Sequence, residues 1–110
     1  MKVKDLADAL KMKIIQPDGG DNDVTCGYTS DLLSDVMANA AEGCAFITIQ
    51  AHVNAVAVSS LVGAAAIIVC NNYPITDDMV EAAKRENIAI LHTAENQYTM
   101  SHLIYSKLSQ

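Results

Sequence analysis

The residues of this 110-residue chain best able to carry chemistry are three histidines, three cysteines and a scatter of carboxylates. His52 or His92 beside a carboxylate would make a general base, and Asp21, Asp23 and Asp31 with His52 can be drawn as such a cluster. His52, His92 and Cys70 offer nitrogen and sulfur donors of the kind zinc or iron takes. Their spacing does not resemble a ligand set, so a buried free cysteine and two loop histidines are the plainer reading. Asp18–Asp23 also falls in a turn, Pro17-Asp18-Gly19-Gly20, where Asp and Asn are favoured for backbone reasons. Ser59-Ser60 lies inside a helical pattern rather than on a strand-to-helix elbow, and no GxSxG occurs. No GxxxxGK[ST] and no GxGxxG is present, so phosphoryl transfer and Rossmann-type dinucleotide binding lack their usual backbone cradles. No cofactor and no metal is expected, and no residue is assigned a catalytic role.

The elements that position these residues follow from hydrophobic spacing. Val3, Leu6, Ala7 and Leu10 form one stripe of a first helix. Lys13–Gln16 reads as a short strand closed by the turn at Pro17, and Val24–Thr29 as a strand interrupted by Gly27. A rhythm follows. Leu32, Leu33, Val36, Met37 and Ala40 mark a helix ending at Gly43, Cys44–Gln50 a strand, and Val53, Val56, Ala57 and Leu61 a helix closed by Gly63. Ala64–Cys70 is apolar on both faces, as a buried parallel strand should be. Thr76 reads as an N-cap, with Asp77 and Asp78 at the positive end of the next helix and Lys84 and Arg85 at its negative end. Ile88–His92 is the last strand, and Met100, Leu103, Ile104 and Leu108 suggest a closing helix. Met12, Met37, Met79 and Met100 read as packing residues. The alternation predicts one wound α/β domain over 1–110: a mostly parallel sheet of four to five strands flanked by helices.

In an open parallel sheet, ligands bind beyond the carboxyl ends of the strands. The residues there are Ser30 and Asp31, then Gln50, His52 and Asn54, then Asn71 and Asn72, then His92, Thr93 and Asn96. The opposite connections, around 41–43, 63–65 and 87–89, are short and mostly small or apolar. Polar groups therefore gather at one edge, which is the expected ligand site. The helix entered near His52 has no acidic residue in its first turn, so its N–H groups are expected to be open to a ligand. Asp31 weighs against a bare anion.

Composition narrows the partners. Seven basic residues against thirteen acidic give a net charge of −6. Such a surface repels phosphate backbones and anionic lipid, so neither nucleic acid nor membrane is an expected partner. One Phe and no Trp leave no stacking platform for bases. The longest apolar run, Leu61–Cys70, is too short to cross a bilayer. Three cysteines without a CxxC pair suit reduced thiols in a cytoplasm. Helices with broad uncharged faces, such as the Ala55/Ser59 and Val53/Val56/Leu61 sides of the third, predict a homodimer.

The stretch Asp21–Ala40, DNDVTCGYTSDLLSDVMANA, resembles the segment from which the DRTGG domain takes its name. Asp21, Thr25 and Gly27 match the family's D, T and second G, while Asn22 and Cys26 stand where Arg and the first Gly are expected. The strand Glu42–Thr48, the run Gln50-Ala51-His52-Val53-Asn54, an Ala-rich helix and AAIIVCN follow in the family's order. The resemblance covers essentially the whole chain. It implies a fold similar to the N-terminal domain of Mur ligases. It also implies a regulatory or accessory module, like those beside CBS domains in regulated pyrophosphatases or ahead of the kinase domain in HPr kinase/phosphorylases. Free-standing versions occur in anaerobes, some near hydrogenase genes. The expectation is a non-catalytic sensor, homodimeric, that binds a small anionic or polar ligand or a partner protein. Two alternatives stay open: an accessory or assembly subunit of a hydrogenase-like redox system, and a small enzyme using His52 or His92.

Overall fold

A computed structural model describes all of residues 1–110. Helix α1 (Val3–Ala9) precedes strand β1 (Lys13–Gln16). Then β2 (Cys26–Thr29), α2 (Leu33–Asn39), β3 (Cys44–Thr48), α3 (Val53–Val62), β4 (Ala66–Val69), α4 (Asp77–Arg85), β5 (Ala89–His92) and α5 (Gln97–Leu108) alternate to the end. The sheet has the order β1-β5-β4-β3-β2. Strands β2 to β5 are parallel neighbours, and β1 joins β5 antiparallel. Each strand-to-strand return from β2 to β5 needs a crossover, and α2, α3 and α4 supply it on one face.

The side-chain alternation of the strands divides the core in two. Ala45, Ile47, Ala66, Ile68 and Leu91 point to α1 and α5, meeting Leu6, Met100 and Ile104. Phe46, Ile67, Val69 and Ile90 point to the other face, meeting Val36, Val56 and Met79. This two-sided burial is why β3 and β4 read as continuous apolar runs. Glycine is required at several chain reversals, two of them flanking the crossovers. Gly63 closes α3 at φ 74°, and Gly43 turns into β3 at φ 82°, both left-handed values that a side chain disfavours.

Three sequence expectations change. Val24 and Thr25 lie outside β2, because Val24 instead bonds the amino-terminal segment, its N–H donating to Met1 O at 2.7 Å. Met37 is 48% exposed, unlike buried Met12, Met79 and Met100, since α2 is short and only Val36 of it is buried. On α3 the inner side is Ala55, Val56, Val58 and Ser59, whereas Val53 and Leu61 lie exposed. Small residues let α3 lie close to the sheet, and the Ser59 hydroxyl satisfies itself on Ala55 O at 2.7 Å.

Candidate functional site at the carboxyl edge

The parallel strands all end at one edge, and the four loops beyond them meet there. The structure brings three of the predicted residues, Asp31, Gln50 and His52, into one connected network centred on Asp31. Its Oδ1 accepts from Thr48 Oγ1 at 2.9 Å, from Ile49 N at 2.9 Å and from Gln97 Nε2 at 3.0 Å. Gln50 Nε2 donates to Asp31 O at 2.8 Å. His52 continues the chain. Its Nδ1 accepts from Asn54 N at 3.3 Å, which leaves Nε2 to donate to Gln50 Oε1 at 2.8 Å. His52 thereby caps α3, so one of the N–H groups expected to be open to a ligand is already engaged. The cap exists because an imidazole at that position replaces the absent Ser, Thr or Asp.

The other half of the edge is tied by backbone. Asn71 N and Asn72 N, both residues left-handed at φ 60° and 53°, donate to Glu95 O and Thr93 O, each at 3.0 Å. Asn tolerates that conformation better than other side chains. His92 Nε2 lies 2.9 Å from Tyr73 O. Thr93 Oγ1 accepts from Glu95 N, and Asn96 Oδ1 caps α5 through Thr99 N. Ser30 Oγ accepts from Leu32 N at 3.2 Å. Most of the predicted ligand groups thus hold the loops to one another. The side-chain amides of Asn54, Asn71 and Asn72 stay outside this network and are exposed.

Beneath the edge, burial pushes the Cys70 thiol up to about 11, with the Asp31 charge adding to it. Cys44 is raised to about 11 by burial and then by Cys26. Both are poor nucleophiles at neutral pH. Asp78, at the start of α4, is held below the usual carboxylate range by the Thr76 hydroxyl and the Met79 N–H, with a smaller contribution from His52.

The family-motif positions lie elsewhere. Asp21 forms an exposed ion pair with Lys4 at 2.8 Å. Asn22 Nδ2 donates to Asn87 O at 2.9 Å and Ala65 O at 3.3 Å, tying the amino ends of the strands together. Thr25 packs against Gly43, where an added Cβ would lie 2.6 Å from its Oγ1. Asp21 and Asp23 therefore sit at the far end of the sheet from Asp31 and His52, and the drawn general-base cluster does not assemble. Gly27 faces α5 beside a hollow of about 380 Å³. Sequence reasoning missed Gln97 and Thr48, which complete the Asp31 network; Thr48 at the end of an apolar strand was the available signal.

Neither a protein-family model nor a curated protein sequence matches the chain. Among solved structures it is similar to a crystal structure of the CBS and DRTGG domains of the regulatory region of Clostridium perfringens pyrophosphatase, complexed with the activator diadenosine tetraphosphate. The TM-score is 0.72 at 17% identity, over 94% of this chain and 45% of that one. The chain thus spans less than half of that structure. At this identity the likeness is one of fold, and the fold of this chain is that of a DRTGG-like α/β domain.

Proposed function

We propose that the chain is a non-catalytic regulatory module, dimeric and cytoplasmic, that senses a small polar ligand at the carboxyl edge of its sheet. The observation that carries this reading is the Asp31 network. It joins the loops after β2 and β3 to the start of α5, while the Asn54, Asn71 and Asn72 amides face solvent beside it. A ligand held by those amides would bear on contacts that set how α3 and α5 sit on the sheet. The groups available for chemistry are otherwise occupied: Asp31 by three donors, His52 by Gln50 and its own helix, His92 by the Tyr73 carbonyl. Buried Cys44 and Cys70 as free thiols favour a reducing compartment. The fold's likeness to a region that binds a nucleotide activator supports a sensing role.

The ligand class follows from charge. Asp31 is joined to His52 through Gln50 and Asp78 lies within reach of the His52 charge, while the loops of this edge contribute no Lys or Arg. A neutral molecule with both donors and acceptors fits better than a polyphosphate. Thermal denaturation with adenosine, AMP, ATP and diadenosine tetraphosphate separates these cases, since a ligand specific for the folded state raises the melting temperature. Adenosine is expected to stabilise, less so in His52→Ala and Asn54→Ala, and diadenosine tetraphosphate to leave the midpoint unchanged. Stabilisation by the polyphosphate that is undiminished in both variants would place the site elsewhere.

A further inference from the structure

The two edges of the sheet are unlike. Strand β1 carries Lys13, an irregular register between Ile14 and Gln16, and Pro17 immediately after it. A charge, a bulge and a proline are the usual means of keeping an edge from pairing. Strand β2, at the other edge, has no charge, no proline and regular pairing with β3. Ser30 N donates to Ile47 O at 3.2 Å, and Ile47 is in register with Thr29. In a parallel ladder this turns the peptide groups of Ile47 toward β2 and those of Thr29 away from β3. Gly27, two residues earlier, is turned the same way. The N–H and C=O of both residues therefore point outward along an open edge.

Gly27 adds a second observation. Its φ lies outside the left-handed region, and an added Cβ would meet nothing nearer than 3.8 Å. Neither conformation nor packing inside the chain calls for glycine. A glycine within a strand often marks the close approach of another backbone. Beside it the hollow between β2 and α5 has Ile47 and Ile104 in its floor, Tyr105 on its rim, and no charged residue in its lining. Tyr105 is 75% exposed. With a net charge of −6 on each chain, two copies repel over most of their surfaces. An uncharged edge is where they approach at least cost.

We propose that β2 pairs antiparallel with β2 of a second copy about a two-fold axis through Tyr28, joining the two sheets into one. Gly27 of each copy then stands opposite Thr29 of the other. This register uses every outward peptide group and keeps both residues on the α5 side in both copies. A stable interface covers about 800 Å² per partner, roughly one seventh of the chain's 5629 Å². A four-residue strand is too small for that, so the α5 rim around Tyr105 joins it. The proposal rests on the dimeric reading above and assigns its interface.

Thr29→Pro removes an outward N–H without touching the ladder to β3. Thr29→Val keeps that N–H and removes only the hydroxyl, which lies 2.6 Å from Ser101 Oγ. By light scattering at tens of micromolar, the wild type and Thr29→Val are expected at twice the 11.7 kDa chain mass. Thr29→Pro is expected at the chain mass with an unchanged far-UV spectrum. A Thr29→Pro dimer would overturn this interface and leave the dimeric reading standing, whereas a wild-type monomer would overturn both. Amide exchange on the wild type decides the matter if Thr29→Pro does not fold. Protection of the Gly27 and Thr29 amides that rises with protein concentration supports the pairing, and fast exchange at every concentration overturns it.

Discussion

Gln97 donates its side-chain amide to Asp31 Oδ1 at 3.0 Å, tying the first turn of the last helix to the loop that follows β2. The same oxygen accepts the Ile49 N–H and the Thr48 hydroxyl. Thr48 is fully buried. One carboxylate thus satisfies two groups of β3 and its loop that water does not reach well, and it holds α5 in the same stroke. That makes Asp31 a structural centre of the carboxyl edge of the sheet.

Asp31→Ala leaves two donors, the Thr48 O–H and the Ile49 N–H, without an acceptor, while the Thr48 oxygen still accepts from Gln50 N. Each unsatisfied buried group costs roughly 1–3 kcal/mol, so a loss of about 2–6 kcal/mol is expected. Asp31→Asn keeps an acceptor oxygen in place and should lose less than half as much. Urea denaturation of the two variants checks this, and equal losses would show that charge rather than acceptance matters.

Gln16 is a second buried anchor. It is 2% exposed, yet all its polar atoms are used: Nε2 donates to Ile88 O and Asp18 O, and Oε1 accepts from Asp18 N, each at 2.9 Å. It fastens the turn after β1 to the loop between α4 and β5. Gln16→Leu retains the bulk and abolishes these bonds, so about 2 kcal/mol or more of stability should go. A melting temperature equal to that of the wild type would contradict this account.

The division between what the sequence revealed and what it hid has a physical basis. Strand β1 and the α4 caps were readable because Pro17 and the Thr76–Arg85 charge pattern act locally. The polar edge was readable because strand ends follow from hydrophobic periodicity. What those polar residues do was not readable, since Asp31 meets Gln97 across sixty-six residues of chain. The inner face of α3 was misjudged for a related reason. Its residues are apolar or small nearly all round, so spacing alone could not decide between Ala55/Ser59 and Val53/Leu61. The Asp21–Gly27 motif was recognisable as a pattern, but Asn22 holding Asn87 O and Ala65 O is visible only in three dimensions.

Tyr28 and Asp35 give the fold a pH signature. The Tyr28 hydroxyl donates to Asp35 Oδ2 at 2.8 Å. That bond, with Ser30 and Asn39, holds the Asp35 carboxyl below the usual range. The bond to Asp35 likewise raises Tyr28, helped by burial. For Asp35 the contribution is present above the unfolded carboxylate value of about 3.9 and is lost as pH falls through the lowered folded value. For Tyr28 it is present below about 10 and is lost as pH rises through the raised folded value. Tyr28→Phe should therefore be less stable than the wild type at pH 7, with the gap closing at both extremes. Denaturant titrations across pH check this, and a gap that is constant with pH would sink it.

The three thiols are expected to separate by burial. Cys44 and Cys70 are fully buried and raised to about 11, so at pH 8 only about a thousandth of either is thiolate, before access is counted. Cys26 is partly exposed on β2. Iodoacetamide at pH 8 should alkylate Cys26 first, leaving Cys44 and Cys70 unmodified until urea opens the core. Peptide mass mapping reads the order directly. Cys44 and Cys70 should then label at a rate that tracks unfolding rather than reagent concentration, because their access requires the sheet to part from its helices. Labelling of Cys70 in the native protein at the rate of Cys26 would mean that the Asp31 network opens readily, and the edge would then be a mobile element rather than a held one.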